Sequence, residues 1–437
     1  MDILNTVLFW INVVRLAFIV FAFFFQLLFG FLLFLKPRQY KKAKKYHDFT
    51  IIIRARNEAQ VIGDAVDSCR KLDYPKDKFR VVVFCHNCKD NTAEIVRQHG
   101  GRAIELFDDN PKHRKASYCR YYGRQELKKE GEGKYEYFCF IDADNQLDKD
   151  YLNACNDAAD EGVMLGRTFE NSKNFTENII SCRNGLYYIR DDQVACKARS
   201  ARHIGCVRNG CASRVKAEYA LDWDAMSSSD DIEFTLNRLI KDGKKVEYID
   251  KAVVYEDQPT SINERAKRNA RRGHGLFRLY FTLGLKCLGL FFLNLFKKKV
   301  PFSTKISYLD QYCNLAIVPA SLLAAVWIPL YYIYALVYTG LGNTRVILGV
   351  GSFSFLWFIC FVAIALCLAL VIPFFLQPIY SYFSVKKRLF VTDKKVLVAS
   401  FFLIPFYRIL QAAPIFRGIF TNPKWTALKR SKTKIKQ

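Results

Sequence analysis

The stretch Tyr137-Phe138-Cys139-Phe140-Ile141-Asp142-Ala143-Asp144 runs from five apolar residues straight into two carboxylates one residue apart. Five apolar residues bounded by polar ones have the length of a strand buried on both faces. Working back toward the amino terminus, 49–53, 80–84 and 102–106 are runs of the same kind. Between them, 61–71, 92–99 and 115–129 are polar with apolar residues at helical spacing. Strands alternating with helices at this interval predict an α/β domain with a Rossmann-like, mostly parallel sheet and helices on both faces. Ligands of such sheets bind outside the carboxyl ends of the strands. The polar residues that follow each strand therefore converge: Arg54, Arg56, Asn57 and Glu58; Cys85, His86 and Asn87; Asp142 and Asp144.

On either side of this domain the composition changes. Hydrophobic residues make up 51% and aromatics 15% of the 437 residues, concentrated toward the two ends. Residues 16–35 form an apolar run interrupted only by Gln26. At roughly 1.5 Å per residue, such a run crosses a hydrocarbon core of about 30 Å. A basic cluster follows (Lys36, Arg38, Lys41, Lys42, Lys44, Lys45), which places what comes next on the cytoplasmic side. Beyond 275, the run 279–296 has basic residues at both ends and reads as a helix lying in the interface. Residues 315–338 and 347–376 are long enough to cross, and the proline- and arginine-broken run 396–420 reads as re-entrant, interfacial or a further span. The predicted organisation is a transmembrane helix in 1–36, a cytoplasmic domain over 46–275, an interfacial helix over 276–300, and a membrane region with a basic tail over 313–437.

The net charge of +25 sits beside the apolar runs, which favours anionic headgroups of a lipid bilayer as the partner. Nucleic acid is disfavoured, because no RNA- or DNA-binding motif accompanies the charge. The 14 cysteines are scattered, several within apolar segments, unlike the framework of a short secreted domain. Cys85-His86-Asn87-Cys88 has C-x-x-C spacing, yet Cys206 and Cys211 complete no common zinc module. Reduced thiols are expected.

Asp142 and Asp144 at a strand end suit a metal-bound diphosphate, one ligating a hard divalent cation and the other holding the nucleotide. A solvated loop is the bland alternative. Ser229-Asp230-Asp231 opens a helix, so an acid there is either a cap or a general base; Asp231 is the base candidate and Asp230 its support. Arg265, Lys267, Arg268, Arg271 and Arg272 form a block that fits either a departing diphosphate or a membrane surface. Lys115 is a further phosphate candidate.

Taken in order, Ile51-Ile52-Ile53-x-x-Arg56-Asn57-Glu58, Asn87-Cys88-Lys89-Asp90-Asn91-Thr92-Ala93, Asp142-Ala143-Asp144-Asn145, Ser229-Asp230-Asp231 and Glu256-Asp257-Gln258-Pro259-Thr260-Ser261 before the basic block resemble the membrane-bound glycosyltransferase family 2, which includes cellulose, chitin and hyaluronan synthases. The resemblance implies a GT-A fold and inverting transfer from a UDP-sugar with Mg²⁺ or Mn²⁺. By motif position it implies that Glu58 contacts the nucleoside, Lys115 and Asp142 the UDP, Asp144 the metal and Arg271 the diphosphate, with Asp231 as base. An Asp that usually meets the uracil falls on His86. The Q-x-x-R-W signature of processive synthases falls on Arg268 to Arg272, keeping the arginine at 271 and losing the Gln and the Trp. The expected reaction is transfer of a hexose or N-acetylhexosamine to a saccharide or lipid-linked acceptor. A processive synthase, whose wide channel would call on the interfacial helices or a second copy of the chain, and an inactive regulatory relative are the alternatives.

Overall fold

The computed structural model describes residues 10–421 apart from 12–13, 16, 20, 25–27, 29–31, 33, 111–112, 114–115, 132–133, 208–212, 341–344, 349–350 and 355–375. Lys115, Cys211, most of the 347–376 run and the basic tail lie outside the described residues.

Strands β1 (Phe49–Ala55), β2 (Phe79–His86), β3 (Arg102–Leu106), β4 (Tyr137–Asp142), β5 (Gln146–Leu147), β6 (Leu165–Ser172), β7 (Ser213–Lys216) and β8 (Glu247–Glu256) form one sheet in the order β3-β2-β1-β4-β7-β6-β8-β5. The four strands expected from the apolar runs pair in parallel, as do β6 and β8. The sheet is mostly parallel, as expected, with β7 and β5 entering antiparallel. Both are too short to leave a periodic signature.

Helices α1 (Ile62–Arg70), α2 (Thr92–Gln98), α3 (Ala116–Lys129) and α4 (Tyr151–Asp160) follow the first strands. Ile51-Ile52-Ile53 is buried on alternating sides, which is why it reads as a continuous apolar run. Ile51 and Ile53 pack with Ile62, Val66 and Leu152 on one face, while Ile52 packs with Phe84, Leu127 and Trp223 on the other. Full burial of such a side chain contributes roughly 1.5–3 kcal/mol.

The second half of the chain builds α5 (Ile179–Arg190), α6 (Lys197–Ala201), α7 (Ala217–Leu221), α8 (Asp230–Asp242) and α9 (Ile262–Leu279). Helix α9 runs through a π-helical turn, Tyr280–Gly284, into α10 (Leu285–Asn294), so the 279–296 run is the apolar continuation of the basic block. Helix α11 (Phe302–Gly340) follows, then a hairpin of β9 (Arg345–Leu348) and β10 (Gly351–Ser354) at the start of the 347–376 run. Helices α12 (Gln377–Val385), α13 (Lys394–Phe402) and α14 (Ile404–Phe420) complete the described chain. Among the described residues, two stretches, Ile262–Asn294 and Phe302–Val326, are long and apolar enough to cross a membrane. The described residues between 10 and 24 are helical and reach α11, with Ala22 buried beside Tyr312 and Ala316.

Helix α14 crosses α9 closely enough that glycine is required at the contact. A Cβ on Gly418 would lie 1.9 Å from the Ala270 carbonyl oxygen, and one on Gly273 would lie 2.3 Å from that of Ile415. The ambiguous 396–420 run therefore lies on the basic helix of the catalytic-type domain.

Candidate active site

The parallel register sets the first contact. Arg54 on β1 lies opposite Asp142 on β4, and side chains in register on neighbouring strands point the same way. Their ion pair follows. Against the cost of burial, Asp142 and then Asp230 hold the Arg54 guanidinium above its ordinary value. Asp142 comes from the end of β4 and Asp230 from the start of α8, yet both act on one guanidinium.

Asp230 is also ion-paired to Arg120 of α3, whose guanidinium is buried against Trp223, 5.1 Å from the ring centroid. Ser229 occupies the cap position of α8, so Asp230 and Asp231 are first-turn residues rather than caps. Negative charge is favoured there by the helix dipole. Asp231 is half-buried, with one carboxylate oxygen accepting from its neighbouring Ile232 amide at 2.9 Å. Glu233 locks the approach to this helix by accepting from the Met226 and Ser227 amides at 3.0 and 2.7 Å. Gly275 of α9 presses on the same loop, since a Cβ there would lie 2.1 Å from Ser229 Oγ.

Arg271 of α9 joins the group. Burial lowers its pKa, helped by the like charges of Arg268 and Arg54 and opposed by Asp230 and Asp231. Arg268 is paired with Glu256 at 3.2 Å. Asp142, Asp230, Asp231, Arg54, Arg120 and Arg271 thus form one charged constellation at the carboxyl edge of the sheet. Asp144 is buried one turn beyond Asp142, in a bend held by an Asn145 side chain that accepts from the Asp142 amide.

The nucleoside-side candidates occupy the ends of β1 and β2. Asn57 and Asn87 adopt left-handed φ of 56° and 51°, a conformation asparagine tolerates better than most residues. Asn57 Oδ1 accepts from the Lys89 amide at 2.7 Å, and the buried Glu58 donates its amide to Thr92 Oγ1 at 3.0 Å. His86 is buried, and its pKa is lowered by desolvation and then by Arg56, so the ring is neutral at physiological pH. Its Nε2 has no hydrogen-bond partner among the described residues.

Arg120 escaped the sequence reading. Its only signal is an arginine one residue after Cys119 and seven before Leu127, on a helix whose apolar face meets Phe84 and Phe138. Arg272 donates to the Tyr187 hydroxyl at 2.9 Å and lies over that ring. A second acidic group, Asp191, Asp192 and Cys196, could hold a cation by spacing, but both carboxylates are taken by Arg167 at 2.8 Å. Cys85 and Cys88 interact with each other, while Cys206 donates to the Cys196 carbonyl oxygen at 3.7 Å; the described cysteines are thiols.

With this geometry established, comparison with known proteins assigns the class. Residues 47–275, more than half of the chain, match glycosyltransferase-like family 2, and the chain belongs to that family. No curated protein matches its sequence. Among solved structures it is similar to the mannosyltransferase PcManGT from Pyrobaculum calidifontis in complex with GDP-Man and Mn²⁺. Identity is 16%, over 93% of this chain and 98% of that one, with a TM-score of 0.52. It is also similar to S. aureus TarS 1–349 in complex with UDP-GlcNAc, at 14% identity over 61% of this chain and 72% of that one (TM-score 0.41). The glucosyl-3-phosphoglycerate synthase of Mycobacterium tuberculosis, in complex with Mn²⁺, UDP and glucosyl-3-phosphoglycerate, is 14% identical over 57% and 88% of the respective chains (TM-score 0.39). The fold is GT-A-like.

Proposed function

We propose that the chain transfers a hexose or N-acetylhexosamine, with inversion, from a UDP-sugar to a saccharide or lipid-linked acceptor at the cytoplasmic face of the plasma membrane. The observation that carries this reading is the shared constellation: Arg54 senses both Asp142 and Asp230, and Arg271 senses both Asp230 and Asp231. Acids from separate motifs of the chain meet at one strand edge, beside cations suited to a diphosphate.

The residues present fit a hard divalent cation. Asp144 is a buried carboxylate at the strand end, and oxygen ligands suit Mg²⁺ or Mn²⁺. By motif position Asp144 is the metal ligand, and Asp142, ion-paired with Arg54, and Lys115 are nucleotide contacts. When bound, the metal supplies positive charge against the diphosphate. Glu58 and His86 hold the nucleoside. Asp231 accepts the proton of the acceptor hydroxyl as that oxygen attacks the anomeric carbon. Asp230, fixed by Arg120, keeps the start of α8 in place. Arg268 and Arg271 stabilise the charge that develops as the nucleoside diphosphate leaves.

Arg272, tied to Tyr187, replaces the aromatic platform of processive synthases, which favours short or single addition over export of a polymer. The apolar helices α10 and α11 and the amino-terminal helix support a bilayer as the setting.

The test is nucleotide release by the purified full-length chain with a panel of UDP-sugars and GDP-mannose, with and without Mn²⁺. Release with one UDP-sugar, dependent on Mn²⁺ and on an added acceptor, is the expected result. Release with none of the donors overturns the reading, and release with GDP-mannose alone corrects the base.

A further inference from the structure

Most buried arginines of this chain face an acid. Arg120 meets Asp230, Arg167 meets Asp191 and Asp192, Arg199 meets Asp310 at 2.7 and 3.0 Å, and Arg238 meets three aspartates. Arg214 and Arg265 meet no acid but donate to the Val163 carbonyl oxygen and to the Tyr188 hydroxyl, whereas Arg183 on α5 has neither an acid nor such an acceptor among the described residues. It is 3% exposed, and its Nε and Nη1 have no hydrogen-bond partner among the described residues. The guanidinium rests over the ring of Tyr407 on α14, 4.6 Å from the centroid. Burial lowers its pKa to about 10, so it remains charged at neutral pH.

Among the described residues, burial aside, Tyr407 and Cys182 act on its charge and no acid does. After Asp310 the sequence contains a single carboxylate, Asp393. That one caps α13, accepting from the Lys395 and Val396 amides at 2.7 and 3.2 Å. Among residues outside the described ones, the acids are Asp2, ahead of the amino-terminal apolar run, and Glu132, three residues after the end of α3 in sequence. A buried cation costs several kcal/mol unless it is paired, and a cation–π contact returns roughly 0.5–2 kcal/mol of that. An anion from outside the chain would supply the rest.

The surroundings limit which anion. Arg183, Tyr187 and Arg190 lie at i, i+4 and i+7 on α5, which places them on one face. Arg190 is held by Gln377 at 2.9 Å and Arg272 by Tyr187, so positive charge continues along this face. Tyr407 brings α14 against this face, and the sequence of that helix, Ile404–Phe420, is mostly apolar. A ligand here needs an oxyanion that a guanidinium fork can grip and a body at ease beside an apolar helix.

We infer that Arg183, between α5 and α14, binds the phosphate oxyanion of an amphiphile whose hydrocarbon chain lies along α14. Under the proposed function this lipid is the acceptor class; that assignment rests on the transferase reading, and the binding itself does not.

The experiment uses the full chain in dodecyl maltoside, without nucleotide sugar, and follows the thermal unfolding midpoint with dodecyl phosphate or inorganic phosphate. Dodecyl phosphate is expected to raise the midpoint of wild type. Arg183→Met is expected to weaken its apparent affinity at least about tenfold, the scale of one charge-assisted contact. Arg183→Met without ligand is expected to unfold no earlier than wild type, because it removes an unpaired buried charge. Arg183→Lys keeps the charge, loses the fork, and is expected to lie between the two. An equal Arg183-dependent rise with inorganic phosphate supports the anion site and assigns it to free phosphate. A rise that is the same in wild type and both variants, or no rise with either probe, overturns the inference. Because no donor is present, that failure is separable from failure of the transferase reading.

Discussion

Replacing Arg120 by methionine isolates the contact with Asp230 that ties the start of α8, which carries the proposed base, to α3. Met fills the arginine stem but leaves Asp230 without its buried partner. Removing one member of a buried ion pair typically costs about 3–5 kcal/mol. Two features set the size here. Arg120 is almost wholly buried and also loses its stack on Trp223, while the Asp230 side chain keeps 12% exposure and the nearby charge of Arg54 and Arg271. The lower end applies, about 3 kcal/mol. The assay is guanidinium unfolding of the full chain in detergent, followed by tryptophan fluorescence, in a cycle with Asp230→Asn. A coupling energy near 2 kcal/mol between the two sites is expected, since each single variant strands the other's charge. The turnover number should fall in Arg120→Met with little change in KM, because the donor contacts are elsewhere, and Arg120→Lys should restore part of it. Coupling below about 0.5 kcal/mol would show the pair to be independent and refute the positioning role.

Glu170 and Glu256 lie side by side under the basic helix, and burial followed by the Glu256 charge raises the Glu170 pKa well above its usual 4.5. The native state then keeps a proton that the unfolded chain releases, so stability present below pH 4.5 is lost as pH rises toward the folded value, by up to about 1.4 kcal/mol per unit. Glu170→Gln should flatten that slope between pH 5 and 7 in a denaturant series, and an unchanged slope would contradict the assignment. Gly418→Ala drives a Cβ into the Ala270 backbone and should cost about 1–3 kcal/mol, whereas Gly289→Ala, with nothing within 4 Å, should not destabilise. Equal midpoints for the two variants would argue against the α9–α14 crossing. The hydrogen bond from Cys85 lowers the pKa of the Cys88 thiol, so iodoacetamide should label Cys88 before the buried Cys69 or Cys139 by mass spectrometry.

The first half of the sheet was legible because β1, β2 and β4 are buried on both faces and leave unbroken apolar runs. Their polar ends then mark the ligand edge. The second half was hidden by its own chemistry. Strand β6 carries Arg167, Glu170 and Asn171 in its buried interior, so it shows no apolar period. Those residues are tolerated because Arg167 finds Asp191 and Asp192, and Asn171 donates to the Arg388 carbonyl oxygen at 2.6 Å; the sequence does not announce either partner. The same holds for the site. Asp142, Asp144 and Asp231 stand out in short motifs, while Arg120 gains meaning only when α3 brings it against Asp230. Arg54, a charged residue at the end of an apolar strand, is explained by the register that sets it opposite Asp142.

The central claim is that Asp144 and Asp231 serve one reaction in different roles, and calorimetric titration of UDP with Mn²⁺ into wild type, Asp144→Asn and Asp231→Asn tests it directly. The account predicts that Asp144→Asn loses UDP affinity at least about tenfold, the effect of one lost metal contact, while Asp231→Asn binds UDP like wild type but releases none from a UDP-sugar. Wild-type binding by Asp144→Asn, or undiminished turnover by Asp231→Asn, would contradict it.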